Sequence, residues 1–386
     1  MTFVKRLSNQ PHASMIRSLL LICLCLPSFL QAQTTDDWSR LHRYAETIGV
    51  ENGCATPDRA CLTTYFTQII WGKPSPRLSY QGLVERIDTN RLNRLVTLFR
   101  AGGDWCSLLD SLESHDRRYR QLKDYCWRCL IDDYMDDSLT VEQIQASLNT
   151  YRWLNRFPAD KRVIVNIPAA TLRVVDRQGQ TLVSSRVIVG KPSTPTPYMT
   201  ASVTDVVMYP YWNVPRSIAV KELLPKIKKN PVAMLDAMKL QVIDKNGRVV
   251  DVSTIDWTVS VRAFPYRLRQ STGCDNALGV IKFNINSPYD IYLHDTNQRE
   301  LFKQGNRWLS HGCIRVEKPV ELANALLGYA RFSPTYMTSC AKEATPQTIR
   351  LPKAVPVLVI YNILDIDDDG AVRVYKDVYR QMLAQH

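Results

Sequence analysis

From Arg162 onward the chain is written in short β-branched runs, and before Phe157 it is not. "RVIVNIP", "TLRVVD" and "TLVSSRVIVG" follow one another, broken by "RQGQ", and "GVIKFNI", "DIYLHD" and "PVLVIYNI" continue the style. β-Branched side chains are stiff and pack well on a pleated surface, so such runs between turn residues predict strands joined by short hairpins. Upstream, apolar residues recur at helical spacing instead. "CLTTYFTQII" puts Leu62, Tyr65, Phe66, Ile69 and Ile70 on one face, and "RLNRLVTLF" does the same with Leu92, Leu95, Val96 and Phe99. Gly72 and Gly102 follow as stops, and a further helix opens on a capping box of Thr140 with Gln143 and carries Ile144, Leu148, Tyr151 and Leu154. The expected fold class is therefore α+β. An all-helical domain over 33–157 precedes a mainly-β domain over 158–340. "VKELLPKIKKNPVAMLDAM" interrupts the latter as a helical insertion at about 216–240, "KPVELANALLGYA" adds a helix with Pro319 in its first turn, and 341–386 forms a C-terminal β-hairpin extension.

At 386 residues, 45% apolar and 22% charged, the chain has enough apolar surface for two cores. Residues 1–32 have the layout of a secretory signal: Lys5, Arg6 and Arg17, then an apolar run from Leu19 to Leu30, then a small residue, Ala32. That run is shorter than the ~20 residues of a bilayer span. The expectation is a protein of the periplasm or cell envelope, with no stable membrane insertion after signal cleavage. The formal charge is +12. Without an aromatic-interleaved basic run or a nucleic-acid motif, nucleic acid is not an expected partner. Export into an oxidising compartment predicts disulfides among the cysteines, with Cys54 and Cys61 favoured by proximity. "CWRC" at 126–129 lies in a helical pattern and reads as structural thiols or a disulfide. "DIDDDG" matches the opening of a calcium loop, but its twelfth position is Lys376, so an acidic hairpin turn is expected and no metal or other cofactor.

One segment gathers reactive groups. His294 lies in strand-like "IYLHD", and Cys313 follows in "LSHGCIRV" after a polar loop that lets the chain return beside that strand. A thiol becomes a useful nucleophile when a base takes its proton, and an imidazole on an adjacent strand supplies one. Gly312 is expected to leave the backbone beside the thiol uncovered.

A histidine, fifteen residues, then Ser310, His311, Gly312 and Cys313 resembles the signature of the L,D-transpeptidases, with their YkuD-type catalytic domain. "YPYWNVPRSIAVKELLPKIKKNP", "DNALGVIKF", "LNTYRWLNRF" and "DDDGAVRVYKDVY" are similar to the larger, YcbB-like branch, and the helical part resembles that branch's scaffold domain. The resemblance implies acyl transfer on peptidoglycan stem peptides. Cys313 is implied as nucleophile and His294 as its base. Gly312, His311, Ser310 and Arg315 are implied in supporting or oxyanion roles, and Tyr292, Trp212, Asn213 and Asn276 as substrate-binding residues. The acceptor, whether a stem amine, a protein or water, stays open, as do a non-catalytic murein-binding role and the oligomeric state. The separate peptidoglycan-binding domain common in that branch has no counterpart here, since only "CLIDDYMDDSLTVEQ" occupies its place.

Overall fold

A computed structural model describes residues 4–5, 33–51, 56–131, 139–338 and 344–381. The expected leader, apart from Val4 and Lys5, lies outside them. Helices run over Gln33–Thr47, Arg59–Trp71, Thr89–Arg100, Trp105–Leu112, Arg117–Ile131 and Val141–Leu154. Three open on aspartates: Asp58, Asp88 and Asp104 each accept from the backbone N–H three residues on, satisfying a donor that the helix itself leaves free. The Thr140–Gln143 capping box is present in both directions, and Gly72 ends its helix at φ 55°. Every apolar residue placed on the two sequence-defined faces is buried.

The β domain is one ten-stranded sheet that closes on itself. The ring runs from Ile281–Ile285 through Leu293–His294, Ile314–Val316, Thr181–Gly190, Thr171–Asp176, Lys161–Asn166, Gln347–Ile360 and Met199–Met208, which pairs back with Ile281–Ile285. Alternation sorts the side chains. Val163, Val165, Leu172 and Val174 point into the ring, while Ile164, Val175, Leu358 and Ile360 join the helical core on the outside. Between the two regions, buried Asp365 accepts from Tyr151 and pairs with Arg118. The helical part is thus packed onto one face of the sheet.

Two boundaries differ from the sequence reading. Gln347–Ile360, expected in a terminal extension, pairs in parallel with Lys161–Asn166 and antiparallel with Met199–Met208, so it belongs to the ring. Only Leu364–Ile366 and Val372–Val374 form the hairpin, around an acidic turn in which Asp367 accepts from the Asp369 and Ala371 N–H groups. The insertion is also larger than 216–240. A three-stranded sheet of Trp212–Asn213, Arg267–Gln270 and Leu240–Ile243 accompanies its helices, around a core including Leu224, Ile227, Val242 and Leu268. Its first helix carries a π turn over Ala219–Leu223. Pro225 explains it: the ring has no N–H and displaces the carbonyl four residues earlier, so the spiral widens there.

Cys61 and Cys274 are each engaged in a disulfide. Cys54, the partner expected for Cys61, lies outside the described residues. Cys126 carries a buried thiol that donates to the Thr47 carbonyl, and Cys129 is buried on the same helix. Burial and the neighbouring Cys129 push the Cys126 thiol up to about 12, which makes it inert packing. Among the described residues no helix is long and apolar enough to cross a membrane.

Candidate active site

Three neighbouring strands set the site in register. Lys282 pairs with His294 across an antiparallel ladder, and His294 pairs with Arg315 across a parallel one. Paired positions share a sheet face, and so do residues two apart on one strand. Lys282, Tyr292, His294, Cys313 and Arg315 therefore gather on one face.

His294 is 4% exposed, and its Nδ1–H donates to the Asp295 carbonyl at 2.5 Å. That bond fixes the neutral tautomer and leaves Nε2 as the acceptor. Burial, reinforced by the positive charges of Arg315 and Lys282, lowers the imidazole to about 3. A stability consequence follows from the sign of that shift. An unfolded imidazole takes up its proton near 6.5, the folded one only near 3, so this group leaves stability unchanged above 6.5 and erodes it as pH falls between those values. We predict that urea unfolding of wild type and His294→Gln differs by a constant amount from pH 7 to 9. Below pH 6 the difference should shift in the variant's favour by about 1 kcal/mol per pH unit. Parallel curves down to pH 4 would contradict a buried neutral imidazole.

Cys313 is half-buried, and Sγ lies 3.5 Å from the Asp290 carbonyl, to which the thiol donates. Burial raises its pKa; hydrogen bonds from the Tyr292 N–H and hydroxyl, and the charges of Lys282 and Arg315, pull the other way. Tyr292 in turn receives a hydrogen bond from Trp212 and packs edge-on against His294 at 5.5 Å between ring centroids. Sulfur and imidazole thus flank one tyrosine, and no hydrogen bond joins them directly in this resting geometry. Catalytic hydrogen bonds are often long without substrate and tighten when it binds.

The loop that presents Cys313 is held from beneath. Buried Ser310 donates to the Cys313 carbonyl at 2.6 Å and accepts from the Gly312 N–H at 3.1 Å. Gly312 sits at φ 120°, a conformation that L side chains rarely adopt, while a Cβ there would meet nothing closer than 3.8 Å. Glycine is needed for the turn. The expectation of an uncovered backbone is corrected: Gly312 is buried, and its N–H is committed to Ser310. The Cys313 N–H has no hydrogen-bond partner among the described residues.

His311 points away from the sulfur's hydrogen bonds and pairs with Glu222 of the π turn at 2.6 Å. Arg315 donates to Gln298 at 2.8 Å. Asn276 does not line a cleft: 1% exposed, it donates to Pro210 and Ser271 carbonyls and accepts from the Leu278 N–H, which consumes its amide inside a loop. Asn213 is exposed and paired with Arg269, and alternation turns it from the face that Trp212 uses.

Several residues escaped the sequence. Thr196 donates to the Gly312 carbonyl at 2.8 Å, and Tyr379 both accepts from the Thr196 N–H at 3.2 Å and donates to the Gly190 carbonyl at 2.5 Å. The C-terminal segment therefore buttresses the loop that carries Cys313. Tyr379→Phe should strand both backbone groups, destabilising the protein by about 1–3 kcal/mol and slowing acylation about tenfold. Thermal unfolding with single-turnover kinetics reads both, and a variant unchanged in each would contradict the buttress.

Residues 160–354 match the family described as the YkuD L,D-transpeptidase catalytic domain. The chain is 40% identical over 219 residues to a Haemophilus influenzae protein whose name assigns it provisionally to the L,D-transpeptidases. That alignment covers 56% of this chain and 44% of the relative, so the chain spans less than half of the relative's length. Among solved structures, L,D-transpeptidase 3 of Mycobacterium tuberculosis is 14% identical with a TM-score of 0.25, over 52% of this chain and 61% of that one. An L,D-transpeptidase from Mycobacterium smegmatis is 15% identical with a TM-score of 0.23, over 52% and 59%.

Proposed function

Because the match over residues 160–354 takes in about half of its 386 residues, the chain belongs to the family of the YkuD L,D-transpeptidase catalytic domain, and we propose that it is a peptidoglycan L,D-transpeptidase with Cys313 as nucleophile. One observation carries the assignment of roles. Cys313 and His294 come from neighbouring parallel strands, with Nδ1 of the imidazole tied to a backbone carbonyl so that Nε2 is the free base.

The chemistry runs in two halves. Sγ bonds to the carbonyl carbon of the third residue of a tetrapeptide stem as its proton passes to His294 Nε2. The carbon–nitrogen bond to the terminal D-alanine then breaks, and that proton leaves on the departing amine, giving a thioester. An amine on a neighbouring stem attacks the thioester and gives its proton back through His294 to the sulfur, which leaves a 3-3 crosslink. Negative charge on the attacked oxygen is met by the Cys313 N–H. An imidazole lowered to about 3 is a weak base at rest, so the thiol becomes ready to attack only when substrate draws sulfur and Nε2 together. His311, paired with Glu222, holds the insertion against the loop. Tyr292 and Trp212 form the wall beside the sulfur. We place this activity in the periplasm or cell envelope, on the strength of the leader-like residues 1–32.

Incubating the purified protein with disaccharide-tetrapeptide, followed by mass spectrometry of the products, tests the reading. Crosslinked dimer with release of D-alanine is the expected result. Monomeric tripeptide alone would mean that water is the acceptor, and no turnover would overturn the enzymatic assignment.

A further inference from the structure

The site holds two cations, and only one of them is occupied. Arg315 is hydrogen-bonded to Gln298 and neighbours Glu300. Lys282, by contrast, makes no hydrogen bond or ion pair with any described residue. Its ammonium lies 4.2 Å from the centroid of the Tyr292 ring, the tyrosine that neighbours the sulfur and bears on its pKa. Asp290, exposed, is the one acidic side chain that bears on it, together with Cys313 itself. A half-buried lysine without a hydrogen-bonding partner is costly unless something else takes its charge.

We propose that Lys282 is the anchor for the free carboxylate that ends the donor stem, the group one residue beyond the bond that Cys313 attacks. This rests on the transpeptidase reading and adds a determinant of which stems it accepts. The dimensions agree. One residue of extended chain covers about 3.3–3.6 Å, so a carboxylate next to the scissile bond falls within a side chain's reach of the sulfur. Lys282 reaches the same region from two strands away, at ~4.8 Å per strand, by lying over Tyr292. The aromatic face takes up one side of the ammonium, and among the described residues no hydrogen-bond acceptor takes up its remaining donors. Binding a carboxylate there also fixes the attacked carbonyl, because only one rotatable residue separates the two groups. When the carbon–nitrogen bond breaks, Lys282 keeps the departing amino acid and no longer the acyl-enzyme.

The test compares two donors, disaccharide-tetrapeptide with its free terminal carboxylate and the same molecule with a terminal carboxamide, on wild type, Lys282→Met and Lys282→Arg. D-alanine or D-alaninamide release is followed. Wild type should prefer the carboxylate donor, and Lys282→Met should lower kcat/KM on it about 10–100-fold more than on the carboxamide, the worth of a charge-assisted hydrogen bond, the carboxamide carrying whatever the lost charge does to Cys313 and His294 on either donor. Lys282→Arg should recover most of the loss. The carboxamide donor doubles as the folding control. Equal loss on both donors, or no loss on either, would overturn the anchor. A wild type that releases nothing from either donor would instead bring down the transpeptidase reading and the anchor with it, whereas one that uses both donors equally would remove the anchor alone.

Discussion

Cys313→Ala should form no acyl-enzyme, a loss of about 10⁶-fold in the first half-reaction by comparison with removal of other covalent nucleophiles. Among the described residues of the site, the Cys313 thiol is the group able to form the thioester. Its replacement should cost little in stability, within about 1 kcal/mol, because the side chain is half-exposed and the loop is held by Ser310, Thr196 and Gly312. Circular dichroism and urea unfolding check the fold, and single-turnover mass spectrometry checks the chemistry. An active alanine variant would remove Cys313 from its assigned role.

His294→Ala should slow acyl-enzyme formation by about 10²–10⁴-fold, the usual worth of a positioned general base. His311→Ala should slow it less than about tenfold, since that ring is spent on Glu222 on the insertion. The physical reason for the contrast lies in the tautomer. His294 has its Nδ1–H fixed by the Asp295 carbonyl and its Nε2 free, whereas His311 presents Nε2 to a carboxylate. If the two variants exchange magnitudes in single-turnover acylation, the two histidines exchange roles.

The helices and the approach of the His294 and Cys313 strands were legible because their signals are local. Leu62, Tyr65, Phe66, Ile69 and Ile70 declare a face by spacing alone, and Thr140 with Gln143 declares a start. His294 and Cys313 sit close enough in sequence for one polar loop to bring their strands together. What stayed hidden depends on partners far along the chain. Gln347–Ile360 reads as a tail until its pairing with Lys161–Asn166, at the other end of the domain, makes it part of the ring. Tyr379 reaches Thr196 and Gly190 across most of the domain, and no spacing rule announces that. Asn276 misled in the opposite direction, since an amide in a motif-like segment looks available until its loop consumes every donor and acceptor.

The central claim is that a stem peptide becomes bonded to one sulfur. Mixing the protein with disaccharide-tetrapeptide whose third-residue side-chain amine is acetylated, so that it serves as donor but not as acceptor, quenching in acid and measuring the intact mass tests it directly. The expected mass gain equals the stem without its terminal alanine, mapped after proteolysis to the peptide carrying Cys313 and absent in Cys313→Ala. A gain equal to the whole stem, a gain on another residue, or stem turnover with no adduct on Cys313 at any time would contradict it.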